Sequence, residues 1–92
     1  MARVVITAQV ENLEKWEESF RSHGDLFRSQ PASSPYLFGA AADNEVAVCA
    51  EVRDVDAYLQ SLQSEETAKA MANDGVKRDT VRVFVLDKTF SF

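Results

Sequence analysis

The segment Thr80-Val81-Arg82-Val83-Phe84-Val85-Leu86-Asp87-Lys88-Thr89-Phe90 constrains this chain more than any other. In a strand, alternate residues point to opposite faces of a sheet. Val81, Val83 and Val85 then fill one face, while Phe84 and Leu86 join Arg82 on the other. A strand with one wet face alternates apolar and polar residues, so this pattern predicts cover on both sides. The chain carries enough helical pattern to cover only one of them. The expectation is a small helix-backed sheet whose second face meets another copy of the same chain.

Upstream, residues 2–10 read as a first strand with Val4, Ile6, Ala8 and Val10 on one face and Val5, Thr7 and Gln9 on the other. Asn12 is placed to cap the next helix, whose stripe is Leu13, Trp16 and Phe20. Gly24 sits where helices often end in a left-handed residue, and Leu26 with Phe27 suggests one further turn. Ser29 to Pro35, with two prolines and three serines, reads as a loop. Tyr36–Ala42 and Glu45–Val52 read as a hairpin with Asp43-Asn44 at its tip. A loop of two or of four residues gives one register, with Phe38 opposite Cys49 and Tyr36 opposite Glu51. Val46, Val48, Ala50 and Val52 then share a face with Leu37, Gly39 and Ala41. A second helical region follows from about 54 to 73, started by Asp54 or Asp56, restarted at Ser64 and ended by Gly75.

The order is β-α-β-β-α-β. Right-handed crossovers around an inner hairpin turn it into a ferredoxin-like α+β sheet of strand order 4-1-3-2, one domain over residues 1–92. The aliphatic face, which includes Val4, Ile6, Leu37, Val48, Val83 and Val85, belongs under the helices. The other face gathers Val5, Tyr36, Phe38, Cys49, Glu51, Arg82, Phe84 and Leu86. Pressed against its twin, that face predicts a two-fold homodimer closing into a barrel, with Phe38, Phe84 and Leu86 in the seam. A stable interface of this kind buries about 800 Å² per subunit.

Composition narrows the partners. A net charge of −5 disfavours nucleic acid, whose phosphates are met by clustered Lys and Arg, and disfavours anionic membrane surfaces. No apolar run approaches the roughly 20 residues that span a bilayer. Cys49 is the single cysteine, so no internal disulfide forms. The acidic residues lack the spacing of a calcium loop, and no dinucleotide or Walker glycine pattern is present, so neither a metal nor a cofactor is expected. A cytoplasmic protein fits these features.

Four residues stand out as candidate chemistry. His23, the one histidine, falls at the end of the first helix, where a cation meets the negative end of the helix dipole. Facing a pocket under the helices, it would instead act as a general base or a single axial ligand. Tyr36, Glu51 and Arg82 fall together on the predicted interface face. They form either a satisfied ion pair and hydrogen bond in a dimer seam or a site for a small polar or anionic ligand. Trp16, Phe20 and Phe27 read as core, and Cys49 as a small buried filler.

This element order, with its two-faced final strand, resembles the dimeric α/β-barrel superfamily, which includes antibiotic-biosynthesis monooxygenases, haem-degrading monooxygenases and stress-responsive barrel proteins. More narrowly, Trp16 with Phe20 and the run Ser64-Glu65-Glu66-Thr67-Ala68-Lys69-Ala70-Met71 leading to Gly75-Val76 resembles a small uncharacterised family of single-domain cyanobacterial proteins. The haem-degrading relatives place an Asn, a Trp and a His around the haem. Here Asn12, Trp16 and His23 all cluster at the first helix, so those roles do not carry over. The resemblance implies a homodimer that binds a small, partly apolar molecule. The alternatives are a cofactor-independent monooxygenase or isomerase acting on a small aromatic or enolisable compound, with His23 or Tyr36 moving the proton, and a ligand-free interaction or regulatory module. A pocket containing neither His23 nor Tyr36 would remove the enzymatic alternative.

Overall fold

The structure, a computed structural model, describes residues 2–29 and 32–92. Strand β1 spans Ala2–Gln9, β2 Ala32–Ala41, β3 Glu45–Val52 and β4 Arg82–Leu86. Helices α1 (Leu13–Ser22) and α2 (Gly24–Ser29) follow β1, and α3 (Val55–Leu62) and α4 (Glu65–Asn73) follow β3. A single 3-10 turn, Arg78–Thr80, leads into β4.

Side chains at the helix starts satisfy backbone N–H groups that have no partner within the helix. Asn12 accepts from the Lys15 N–H at 3.0 Å, Asp54 from Ala57 at 3.1 Å and Ser64 from Thr67 at 3.2 Å. Ser64 therefore breaks the second helical region in two, as the sequence predicts. Thr67 locks the break by donating to the Ser61 carbonyl at 2.9 Å. The left-handed glycine is Gly75 at φ +76°, whereas Gly24 opens α2. Gly75 N–H bonds the Ala72 carbonyl and Val76 N–H the Met71 carbonyl, the paired closure of a Schellman motif. Val76 then pairs with Val10, and Lys77 N–H bonds the Gln9 carbonyl at 2.9 Å, so the end of α4 is tied to the end of β1.

The sheet is antiparallel throughout, with order β2-β3-β1-β4, the predicted order counted from the other edge. Its hairpin register differs from the expectation. Ala41 pairs with Glu45, so the loop is the three residues Ala42, Asp43 and Asn44, with Asp43 at φ 65° and Asn44 at φ 59°. Asp and Asn tolerate this left-handed region. An odd loop slips the register by one residue and turns the side chains from Tyr36 to Ala41 over. Leu37, not Phe38, faces Cys49, while Phe38 faces Val48.

Three corrections follow. Tyr36 and Phe38 lie on the helix-covered face, Leu37, Gly39 and Ala41 lie on the open one, and Tyr36 is not a neighbour of Glu51. Most of the expected Ser29–Pro35 loop is strand, because β2 begins at Ala32; Gln30 and Pro31 lie outside the described residues, as does the Phe27 side chain. The final strand is shorter than predicted, with Thr80 in a 3-10 turn, Val81 capping that turn and Asp87–Phe92 continuing without strand pairing.

Two clusters make the core between sheet and helices. Trp16 packs on Ala8, Val10 and Val46, and Tyr58 packs on Val4 and Val52. The opposite face is an apolar row crossing all four strands, Leu37–Cys49–Val5–Phe84. Leu86 flanks it, and Leu37, Phe84 and Leu86 are 61%, 41% and 52% exposed.

Candidate functional site

A cavity of about 80 Å³ opens between the sheet and the helices, lined mainly by apolar side chains. Its floor is Ile6, Ala8, Val46 and Val48 from the central strands. The β2 slip adds Tyr36 to one wall and sets Phe38 behind Trp16. Trp16 stacks on Phe38 with ring centroids 5.4 Å apart and leans on Phe20 at 4.9 Å, and Phe20 meets Tyr36 at 6.4 Å.

Few polar groups reach this space, and His23 and Asp74 among them are paired. His23 sits in the break between α1 and α2, its N–H bonded to the Phe20 carbonyl. Its Nε2 lies 3.0 Å from Oδ1 of Asp74, the residue that ends α4 just before Gly75. Asp74 is buried at 5% exposure, and His23 is partly buried. A carboxylate only accepts, so this bond assigns the proton to Nε2 and leaves Nδ1 as the basic nitrogen of the neutral ring. The chain brings these residues together from 51 positions apart by closing α4 with the Schellman turn and tying it to β1.

Tyr36 and Tyr58 also line the cavity. Burial raises the Tyr36 phenol above its ordinary value. Burial, with a smaller contribution from repulsion by Tyr36, pushes Tyr58 up to about 12. Both therefore stay protonated at neutral pH and can donate a hydrogen bond. The cavity thus holds one imidazole base, its carboxylate and two phenol donors among apolar walls.

The expected grouping of Tyr36, Glu51 and Arg82 does not form, because the sheet puts Tyr36 on the opposite face from Glu51 and Arg82. Glu51 is on the open face, its carboxylate 3.6 Å from the Arg3 guanidinium, with both side chains exposed. Arg82 lies over the Phe84 ring at 5.2 Å, a cation–π contact on the same face. His23 and Tyr36, expected as alternatives, share one cavity.

Asp74 was not singled out by sequence reasoning. A signal for it exists: an acidic residue at a helix C-terminus meets the negative end of the dipole, so a buried one implies a positive or donating partner. Among the described residues no group of three or more His, Cys, Asp or Glu side chains is arranged to hold a metal, and no helix is long and apolar enough to cross a membrane.

No protein-family model matches the chain, and no curated protein matches it in sequence. Solved structures do. SnoaB, a cofactor-independent oxygenase from Streptomyces nogalater, superimposes with a TM-score of 0.69 at 18% identity, over 98% of this chain and 94% of that one. An antibiotic biosynthesis monooxygenase gives 0.68 at 15% identity, over 97% and 99% of the two chains. A conserved protein from Methanosarcina mazei Go1 gives 0.67 at 14%, over 96% and 92%. At these identities the likeness is one of fold, and it runs the length of both chains. The chain has the ferredoxin-like α+β fold of the antibiotic biosynthesis monooxygenase structures.

Proposed function

We propose that this protein binds a small, largely apolar enolisable compound in the cavity and removes a proton from it with His23. The observation that carries the reading is the His23–Asp74 pair inside an apolar space shared with two phenols. A positioned base needs a held tautomer, a nearby donor for the charge that develops, and little water. Asp74 holds the tautomer and faces the imidazolium once it forms. Tyr36 or Tyr58 donates to the oxygen of the enolate.

The step balances simply. A C–H beside a carbonyl gives its proton to Nδ1, and the bonding pair becomes the enolate double bond. Returning the proton to another carbon gives an isomerase. With dioxygen as co-substrate, a CH₂ becomes C=O and the second oxygen atom leaves as water, which is the cofactor-independent monooxygenase outcome. The fold likeness to SnoaB supports weighing that second outcome, since that protein is a cofactor-independent oxygenase. The cavity also favours a ligand over a ligand-free module, for which a filled interior is the expectation.

Solvent deuterium exchange followed by proton NMR tests this with a panel of small enolisable ketones and hydroxyaromatics. The protein accelerates exchange of at least one compound, His23→Ala abolishes the acceleration, and Asp74→Asn lowers it by about 10- to 100-fold. Equal rates with wild type and His23→Ala, or no acceleration across the panel, contradict the reading.

In the same account the protein is a cytoplasmic homodimer. Large exposed apolar patches on a folded domain mark interaction surfaces. The row Leu37–Cys49–Val5–Phe84 is such a patch, and a second copy presents a patch of the same shape and chemistry. The seam is thus centred on Leu37, Phe84 and Leu86, with Phe38 excluded by the register.

A further inference from the structure

The cavity at His23 is too small to be a whole binding site. Pockets for small molecules typically enclose about 300–1,000 Å³, against about 80 Å³ here. A second hollow of about 340 Å³ lies beside it, and the two share Ile6, Leu62, Met71 and Val81 as a common wall. The outer hollow is completed by Leu59, Gln63, Arg78 and Val83. A ligand reaching His23 from outside through this wall leaves its other end in the outer hollow. Met71 is the flexible member of the wall, able to change rotamer without straining a branched carbon.

The outer hollow differs from the inner one in its polar groups. Among the described residues Arg78 is the only charged side chain lining it, and Gln63 the only other hydrogen-bonding one. Arg78 makes no ion pair among the described residues. Its backbone is fixed, because Thr80 N–H bonds the Lys77 carbonyl and Thr80 Oγ1 accepts from the Gln9 N–H, both at 2.9 Å. Lys77 and Asp79 flank it in sequence, so the guanidinium is the charge that the hollow itself presents. A guanidinium presents a planar fork of donors that fits a carboxylate with two parallel hydrogen bonds.

We propose that the outer hollow is a carboxylate subsite anchored by Arg78, so that the molecule bound in the cavity is a small monocarboxylic acid with an apolar body. The carboxylate sits at the mouth with Arg78 and Gln63, and the apolar body passes Met71 toward His23. This rests on the ligand-binding reading of the cavity and adds the class of ligand.

The test is binding of straight-chain carboxylates from butanoate to decanoate, each beside its neutral primary amide, followed by the fluorescence of the single tryptophan, Trp16, in the cavity wall. The wild-type protein binds the best carboxylate about tenfold or more tighter than its amide. Arg78→Gln removes that preference by weakening the carboxylate far more than the amide, and Arg78→Lys keeps part of it. Equal affinity for acid and amide in wild type, a preference that survives Arg78→Gln, or no binding by any member at millimolar concentration overturns the proposal. These readouts involve no proton transfer. Failed exchange with an intact carboxylate preference sinks the role of His23 alone, and the reverse result sinks the subsite alone.

Discussion

The two faces of this sheet are built from the same strands by simple alternation, yet they hold different things. On the covered face Val4 and Val52 are 1% and 0% exposed, and the polar groups are few, with buried Asp74 paired to His23 from a distant element. On the open face Leu37 and Phe84 stand in solvent beside Arg3, Glu51 and Arg82, whose charges are met by immediate neighbours. Charge density is therefore a poor guide to chemistry in this protein. Exposed pairs such as Arg3–Glu51 are screened by water and hold their partners loosely. The His23–Asp74 pair sits where desolvation makes each polar contact costly to leave unmet and strong when made.

The comparison can be broken most forcefully at Trp16. Removing its ring from between Phe20 and Phe38 with Trp16→Ala costs about 3–5 kcal/mol. At about 4–8 °C per kcal/mol for a domain of this size, the melting temperature falls by at least about 12 °C in thermal denaturation. A fall of only a few degrees would mean that the covered face is not the core.

Asp74→Ala is next. It deletes the acceptor of the His23 Nε2–H in a buried setting and costs about 1–3 kcal/mol, whereas Asp74→Asn, which keeps an acceptor oxygen, costs less. Equal melting temperatures for both variants and wild type would place the pair with the loose contacts of the open face.

Alkaline unfolding sharpens the contrast further. Folded, Tyr58 keeps its proton up to about 12, while the unfolded chain releases it near the ordinary value of 10. Between those values the unfolded state binds fewer protons, so stability declines as pH rises through the window and is fully present below pH 10. Tyr36 shifts in the same direction. Tyr58→Phe flattens this decline in denaturant titrations from pH 9 to about 12. An unchanged slope would show that Tyr58 is not buried as described.

The smallest effect belongs to the open face. Glu51→Gln breaks the exposed pair with Arg3 and changes stability by less than about 1 kcal/mol.

Element order, strand order and the helix caps, with Asp54 as one of two candidates, could be read from the chain because each rests on local chemistry. Asn12, Asp54 and Ser64 each precede an apolar stripe, and Gly75 supplies the left-handed stop. The face of β2 could not be read the same way. Asp43-Asn44 marks a turn equally well in loops of two, three or four residues, and the parity of the loop decides whether Leu37 or Phe38 faces the helices. Both residues are large and apolar, so hydrophobicity did not settle the choice. The site was legible in part: His23 and Tyr36 were named, but their meeting depends on that parity and on the closure of α4. Asp74 is 51 residues from His23, and its importance lies in a contact that no periodicity predicts. Glu51 and Arg82 drew attention as charges on an apolar face, where the structure gives them surface partners.

The division of labour between the faces is tested most directly by sedimentation velocity at micromolar concentration, comparing wild type with Phe84→Asp. The account predicts a dimer for wild type and a folded monomer for the variant, because a carboxylate that must be buried in the apolar row on association opposes it. A wild-type protein that sediments as a stable monomer, with Leu37, Phe84 and Leu86 left in water, would contradict it.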